Sequence, residues 1–300
     1  MISVIICTYN RDKYIYRVLE SLAQGNCDRE AYEIVVIDNN CTDHTQDELQ
    51  RFAHDFPDVC LRCFTETRQG LSHARNRGIE EARGELLVYV DDDATVNKEY
   101  LADYQAFFET HPDIDAAGGP IIPHYEDGSE PDWMTYFTRQ LLTGYLYYGP
   151  DMREFPAGRY PGGGNAAYRR RVFDKVGLYN PDLGRKGQGL ASGEEKDIFN
   201  KMTTAGMRFV YLPGPILYHS IPHYKLEQEY FDQLTCSMGR SEKARTLQIS
   251  KKEYLKRILL ELVKWGGSLV LWLYYMLTFR PQCGNKLIRF RWNLSRNLIG

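Results

Sequence analysis

Paired cysteines are missing from this chain, and so is a long apolar run near its start. The seven cysteines are odd in number and unevenly spaced, which excludes a disulfide scaffold. The one close pair, Cys60 and Cys63, sits in VCLRCF, whose alternation reads as a strand. Residues three apart on a strand face opposite ways, so this pair cannot share a metal or a bridge. Reduced, cytosolic thiols are the expectation. The apolar run Ile2–Cys7 is too short for the hydrophobic part of a signal peptide, and charge follows it. No low-complexity linker and no repeat breaks the 300 residues, a length that suits two domains or one α/β domain with an appendage. Overall charge bias is also small, at −3 from 37 Lys and Arg against 40 Asp and Glu. That balance hides an asymmetry. Residues 251–300 carry ten basic side chains and only two acids, Glu253 and Glu261, so the tail stands at +8 and the rest at −11. An acidic body excludes a general nucleic-acid binder, whereas a basic tail suits an anionic surface.

What is present is a repeated unit of apolar run, turn and helical stretch. The runs are Ile2–Cys7, Glu33–Ile37, Val59–Phe64 and Glu85–Val90. Between them Ile15, Val18, Leu19 and Leu22 fall at helical spacing, as do Leu49, Phe52, Ala53 and Phe56. Short β-branched runs alternating with helices predict a mostly parallel sheet covered on both faces. Ligands of such sheets bind beyond the carboxyl ends of the strands.

After Asp113 the pattern loosens. Eight of residues 131–160 are aromatic, which reads either as a small aromatic core or as a wall of rings for sugar or lipid to stack on. The glycine cluster Pro161–Asn165, a helix over Glu194–Ala205 and a strand over Arg208–Leu212 follow. The tail from about Leu226 differs in kind. Trp265–Phe279 is fifteen residues without a charge. As a helix it extends about 22 Å, short of a ~30 Å hydrocarbon core. An interfacial segment flanked by basic residues fits better than a span, and a helix packed on the body is the competing reading.

The chemistry collects at strand ends. The fourth run ends in Asp91-Asp92-Asp93. Three carboxylates on one turn repel unless a cation or a donor-rich ligand compensates them, and hard cations take carboxylate together with phosphate oxygens. Thr8-Tyr9-Asn10-Arg11 follows the first run and Asp38-Asn39-Asn40 the second. The first turn lacks G-x-G-x-x-G, which argues against a dinucleotide enzyme. Arg75 and Arg77 in GLSHARNRG could reach phosphate, or be solvated helix charges.

SVIICTYNR, EIVVIDNNCTD, GLSHARNRGI, ELLVYVDDDA, GGGNAAYRR and GEEKDIFNKM, in this order over residues 1–205, resemble the inverting nucleotide-sugar glycosyltransferases of family 2. The resemblance implies a GT-A fold: a Rossmann-like, mostly parallel sheet with helices on both faces, here with a C-terminal helical extension. It implies a catalytic domain over 1–225, with a nucleotide-binding half (1–112) and an acceptor half (113–225), followed by a basic amphipathic tail over 226–300. Thr8, Tyr9, Asn10, Arg11, Asp38 and Arg75 would then bind the nucleotide sugar, and Asp91 and Asp92 would approach its ribose and diphosphate. Asp93, with His219, would hold Mn²⁺ or Mg²⁺. Gly164, Asn165 and Glu194 would lie by donor sugar or acceptor, and Glu195 would be the general base. The family's base is usually the Asp of a Glu-Asp pair. Here the pair is Glu194-Glu195, which leaves Glu194 and Asp197 as alternatives. Ser192-Gly-Glu-Glu195 also matches a helix capping box.

The implied partners are a nucleoside-diphosphate sugar, a glycan or glycolipid acceptor, and an anionic membrane reached through the tail, with no nucleic acid. The implied setting is bacterial polysaccharide or glycolipid synthesis, peripheral at the inner face of the cell membrane. Two other functions compete. A sugar-phosphate nucleotidyltransferase would open with a Gly-rich phosphate loop, absent from CTYNRDKYI. A catalytically inactive nucleotide-sugar-binding module would have no need of the acidic turn.

Overall fold

The four apolar runs become neighbouring strands in a computed structural model that describes residues 1–187, 189–190 and 193–300. The chain runs β1 (Ile2–Thr8), α1 (Asp12–Ala23), β2 (Tyr32–Asp38), α2 (Thr45–Asp55), β3 (Leu61–Thr65), α3 (Leu71–Glu81) and β4 (Leu86–Val90). Then come β5 (Ala94–Val96), α4 (Tyr100–Thr110), β6 (Ala116–Gly118), β7 (Ile121–Tyr125), α5 (Tyr136–Thr143), β8 (Arg153–Glu154) and β9 (Asn165–Arg169). The remainder is α6 (Arg171–Val176), α7 (Glu194–Thr204), β10 (Phe209–Tyr211), β11 (Leu217–Ile221), α8 (Gln228–Ile249), α9 (Lys251–Leu277) and α10 (Pro281–Ile299).

The main sheet has the order β3-β2-β1-β4-β9-β6-β10-β8. Its first four strands are parallel, as the alternation of runs and helices predicts. Alternate side chains leave a strand on opposite faces, so each strand feeds two cores. Val4, Ile6, Ile34, Val36 and Val88 pack against α1, α2 and α4, while Ile5, Leu87 and Tyr89 pack against α3, α6 and α7. In α1 all four spaced apolar residues are buried. In α2 only Leu49 and Phe52 are, and Ala53 faces solvent. The sheet departs from the parallel expectation at β9, which runs antiparallel to both β4 and β6. The consequence is local: Asn165 pairs with Val90, so the start of β9 lies at the carboxyl end of β4.

The described residues divide into two units. The first is Met1–His124, Gly144–Pro181 and Glu194–Ser220; the second is Tyr125–Thr143, Asp182–Gly193 and Ile221–Gly300. The second unit is thus more than a tail from 226, because two earlier segments join it. Its core holds Met134, Leu142, Phe231, Leu234, Phe290, Leu294 and Leu298. The aromatics of 131–160 are shared out accordingly. Tyr148 and Phe155 pack on Tyr211 in the first unit, and Phe137 packs on Phe290 in the second.

In the second unit Glu261 of α9 is buried and accepts from Arg257 at 2.7 Å and from Arg291 of α10 at 2.8 Å. A buried carboxylate with two guanidinium partners cannot move into lipid without losing them, which ties α9 to α10. Trp265 and Trp272 also face α10, donating to Ser295 at 2.9 Å and to Asn285 at 3.1 Å. The outward face of α9 carries instead Leu255, Leu259, Leu262, Val263, Val270, Leu273 and Leu277, all exposed.

Candidate active site

The first turn and the second meet because β1 and β2 are in parallel register, with Thr8 opposite Asp38. Thr8 is buried, and its hydroxyl faces the Asp92 carboxylate and favours its charged form. Asp38 is also buried. It accepts from the backbone N–H of Cys41 at 2.7 Å and from Gln46 at 2.5 Å, so it shapes the loop after β2. Asn10 takes a left-handed φ of 54°, tolerable for Asn, and its side-chain oxygen accepts from the Thr42 N–H at 2.7 Å. Asn10 thereby staples the two loops together. Tyr9 is half-buried beside it. Arg11 approaches Asp92, Nε to Oδ1 3.6 Å.

The acidic turn follows β4. Burial is the main force raising the Asp91 carboxyl, with Asp93 adding repulsion. Burial likewise pushes Asp92 up to about 7, against the pull of Arg11. Burial and like charge both disfavour the ionised forms of carboxylates gathered on one turn. β5 pairs antiparallel with β11, setting His219 opposite Ala94. That register brings His219 Nε2 to 3.3 Å from Asp93 Oδ1, and the Ser220 N–H donates to the Asp93 carbonyl at 2.9 Å. An oxygen and a nitrogen donor stand side by side next to two further carboxylates, a donor set that fits a divalent metal. No group of three or more His, Cys, Asp or Glu converges into a closed cage among the described residues. Such an open donor pair suits Mg²⁺ or Mn²⁺ completed by phosphate and water oxygens.

The glycine cluster earns its place by space. The Asp91 N–H donates to the Gly164 carbonyl at 3.3 Å, and a Cβ on Gly164 would stand 2.0 Å from Asp91 Oδ2. A Cβ on Gly163 would stand 1.7 Å from Glu195 Oε1. Two carboxylates from different elements therefore flank two adjacent glycines. Gly163 was not among the expected site residues, although PGGGN was its signal.

Asn165 corrects an expectation. It is fully buried, accepts from the Tyr100 and Tyr104 hydroxyls at 2.8 Å each, and donates to the carbonyls of Pro120 and Pro215 at 2.8 and 3.0 Å. All of its hydrogen-bonding capacity is turned inward, so it braces the site and does not line a sugar. Asn165→Ala should strand the Pro215 carbonyl and remove the acceptor of two tyrosine hydroxyls, while the Pro120 carbonyl keeps the Leu217 N–H at 3.0 Å. At about 1–3 kcal/mol per buried unsatisfied group, with partial relaxation, urea unfolding should show a loss of about 3–5 kcal/mol.

Arg75 goes elsewhere than expected. It is 3% exposed and donates to Glu194 at 2.9 Å and to Glu195 at 2.8 Å. Burial opposes its charge, but the two carboxylates hold the guanidinium well above its ordinary range. Its two ion-pair partners are thus at the start of α7. Arg77 pairs with Glu81 one turn along α3. The choice among acids sharpens as well. The Glu194 side chain is 4% exposed and that of Glu195 28%, while Asp197 pairs with Lys201 at 2.7 Å. Ser192, half of the capping-box reading, lies outside the described residues.

The chain as a whole is similar to known proteins. The model of glycosyl transferase family 2 matches residues 3–177. The chain belongs to this family and is a glycosyltransferase that uses nucleotide sugars. It is 29% identical over 279 residues to the glucosyl-dolichyl phosphate glucuronosyltransferase of Haloferax volcanii, covering 86% of this chain and 83% of that protein. A Staphylococcus aureus poly(ribitol-phosphate) β-N-acetylglucosaminyltransferase is 34% identical over 109 residues, 36% of this chain and 19% of the relative. Among solved structures, a Pyrobaculum calidifontis mannosyltransferase in complex with GDP-Man and Mn²⁺ superposes with a TM-score of 0.64 at 18% identity, covering 98% of this chain and 86% of the other. The fold is therefore GT-A, with a helical region after it.

Proposed function

We propose that this protein transfers a sugar, with inversion, from a nucleoside-diphosphate donor to a hydroxyl of a lipid-linked saccharide. The observation that carries the proposal is the pair of carboxylates, Asp91 and Glu195, set against Gly164 and Gly163 at the carboxyl edge of the parallel strands. A sugar that approaches this backbone meets the acidic turn on one side and an accessible carboxylate on the other. In this reading Thr8, Tyr9 and Asp38 line the nucleotide pocket and Arg11 and Asp92 bound it. Asp93 and His219 would hold a divalent cation, Mn²⁺ being the ion bound by the mannosyltransferase of similar fold. When bound, that ion supplies charge neutralisation for the departing diphosphate. Glu195 takes the proton of the acceptor hydroxyl, and Arg75 keeps its carboxylate oriented while Glu194 holds Arg75 in place. Asn165 acts at one remove, through the backbone beside Gly164.

The lipid-linked acceptor is inferred from the name of the Haloferax relative, which matches along most of both chains, and from the apolar outer face of α9. That helix is long and apolar enough to cross a membrane. Its tie to α10 through Glu261 favours a helix lying in the interface with Leu259, Val263, Val270 and Leu273 inserted. Trp265 and Trp272, turned toward α10, are not part of that inserted face. Of the ten basic tail residues, Arg289 is paired with Asp232 and Arg257 also with Glu242, two acids that lie before residue 251, so the attraction to anionic lipid is weaker than +8 suggests.

A thermal-shift screen of nucleoside-diphosphate sugars with Mn²⁺ or Mg²⁺ tests the donor reading. Ligand at about 100 times Kd stabilises by about 2.7 kcal/mol, and the shift should vanish with chelator. If a nucleoside triphosphate with a sugar phosphate gives the shift and diphosphate sugars do not, the nucleotidyltransferase reading takes its place.

A further inference from the structure

One face of α10, together with Trp133 and Gln228 of α8, encloses a cleft of about 730 Å³ within the second unit. At its centre is Lys286, half-buried, with its ammonium 4.3 Å from the centroid of Trp133 and 4.8 Å from that of Phe231. It donates to Gln228 Oε1 at 2.7 Å and has no ion pair among the described residues. An ammonium has three donors, so two remain. Two acceptors near it are already engaged. Asp232 receives Arg289 through Nε at 2.7 Å and Nη2 at 2.5 Å, as well as Gln228 and Asn293. The Asn285 oxygen receives the Trp272 indole N–H, which leaves the amide NH₂ of Asn285 to donate. Lys286 and Asn285 thus keep spare donors in the cleft, and Lys286 carries a positive charge that burial disfavours and the nearby Asp232 supports. Trp292, 59% exposed on α10, gives it one apolar edge, and Asn285 reaches α9 through Trp272.

We propose that this cleft binds the phosphate monoester headgroup of a membrane lipid, Lys286 and Asn285 donating to the phosphate oxygens while the acyl or isoprenoid chain leaves over Trp292 and α9. A dianionic oxygen cluster is what surplus, partly desolvated donors recognise. The adjacent apolar helix gives the hydrocarbon chain a place to lie. The proposal rests on the reading that this unit meets a membrane, and it adds a stereochemically defined site to what would otherwise be a diffuse attraction.

The test uses flotation of the full chain with phosphatidylcholine vesicles that contain either phosphatidic acid or phosphatidylglycerol, matched in surface potential. The wild type should bind the phosphatidic acid vesicles about tenfold more tightly, the scale of one or two charge-assisted hydrogen bonds. Lys286→Met keeps the aliphatic stem over Trp133 and should erase that preference with residual binding to both vesicles. Lys252→Met, on the exposed start of α9, should weaken binding to both and keep the preference. Equal binding of the wild type to the two vesicles overturns the headgroup site and leaves membrane attachment standing. Failure to float with any vesicle overturns the membrane reading and this proposal with it. Glycerol phosphate separates the sources: if it binds the wild type as tightly as the vesicles do, the cleft serves a soluble phosphate ester and the lipid assignment falls. If Lys286→Met retains the full preference, Lys286 is not the group that reads the phosphate.

Discussion

Glu195→Gln should lower kcat by about 10²–10⁴, the usual worth of a positioned general base, with donor affinity nearly unchanged. The variant keeps the length and planarity of the side chain. It also leaves Arg75 paired with Glu194 at 2.9 Å, so the buried guanidinium is not abandoned and the melting temperature should fall only modestly. Glu194→Gln is the informative contrast. Its carboxylate is more deeply buried than that of Glu195, and it shares the charge of Arg75 with Glu195. Its loss should therefore act mainly on stability, at about 2–3 kcal/mol for a weakened buried pair. Steady-state kinetics and chemical denaturation of the two variants together decide the assignment. If Glu194→Gln takes the loss in kcat and Glu195→Gln takes only stability, the roles are exchanged.

Asp93→Ala should remove metal-dependent turnover, a loss of about 10³-fold if the cation stabilises the leaving diphosphate by several kcal/mol. The fold should survive. Asp93 lies beside His219, and its removal relieves repulsion that raises Asp91 and Asp92. Without metal, the variant should melt at or slightly above the wild-type temperature. With Mn²⁺ and donor present, the wild type should gain stability and the variant should not. Wild-type turnover by Asp93→Ala in Mn²⁺ or Mg²⁺ would remove Asp93 from the metal site.

The two variants probe parts of the site that were unequally legible. The acidic turn could be read directly, because three consecutive carboxylates after an apolar run are costly and have few physical uses. The Thr8 and Asp38 edges were equally plain, since parallel register follows from two similar runs joined by one amphipathic helix. The bonding of Asn165 and Arg75 was not legible, for a common reason. Each is a polar residue in a suggestive motif, and a motif does not say which way a side chain points. Asn165 turned inward because two tyrosines of α4 offered hydroxyls and two prolines offered carbonyls. Arg75 turned to α7, about 120 residues away, where two carboxylates answered a buried charge.

Local pattern by itself determined the strands, most helices and the strand-end position of the site, because period and turn chemistry are short-range properties. Only the tertiary structure decided the rest. The antiparallel insertion of β9 sets Gly163 and Gly164 between Asp91 and Glu195, and the pairing of β5 with β11 brings His219 to Asp93. The gathering of residues 125–143 and 182–193 into the helical unit, like the consumption of tail arginines by Glu261 and Asp232, depends on partners distant in sequence. A buried charge or hydrogen-bonding group must find its complement wherever the fold supplies one, and no local pattern records where that will be.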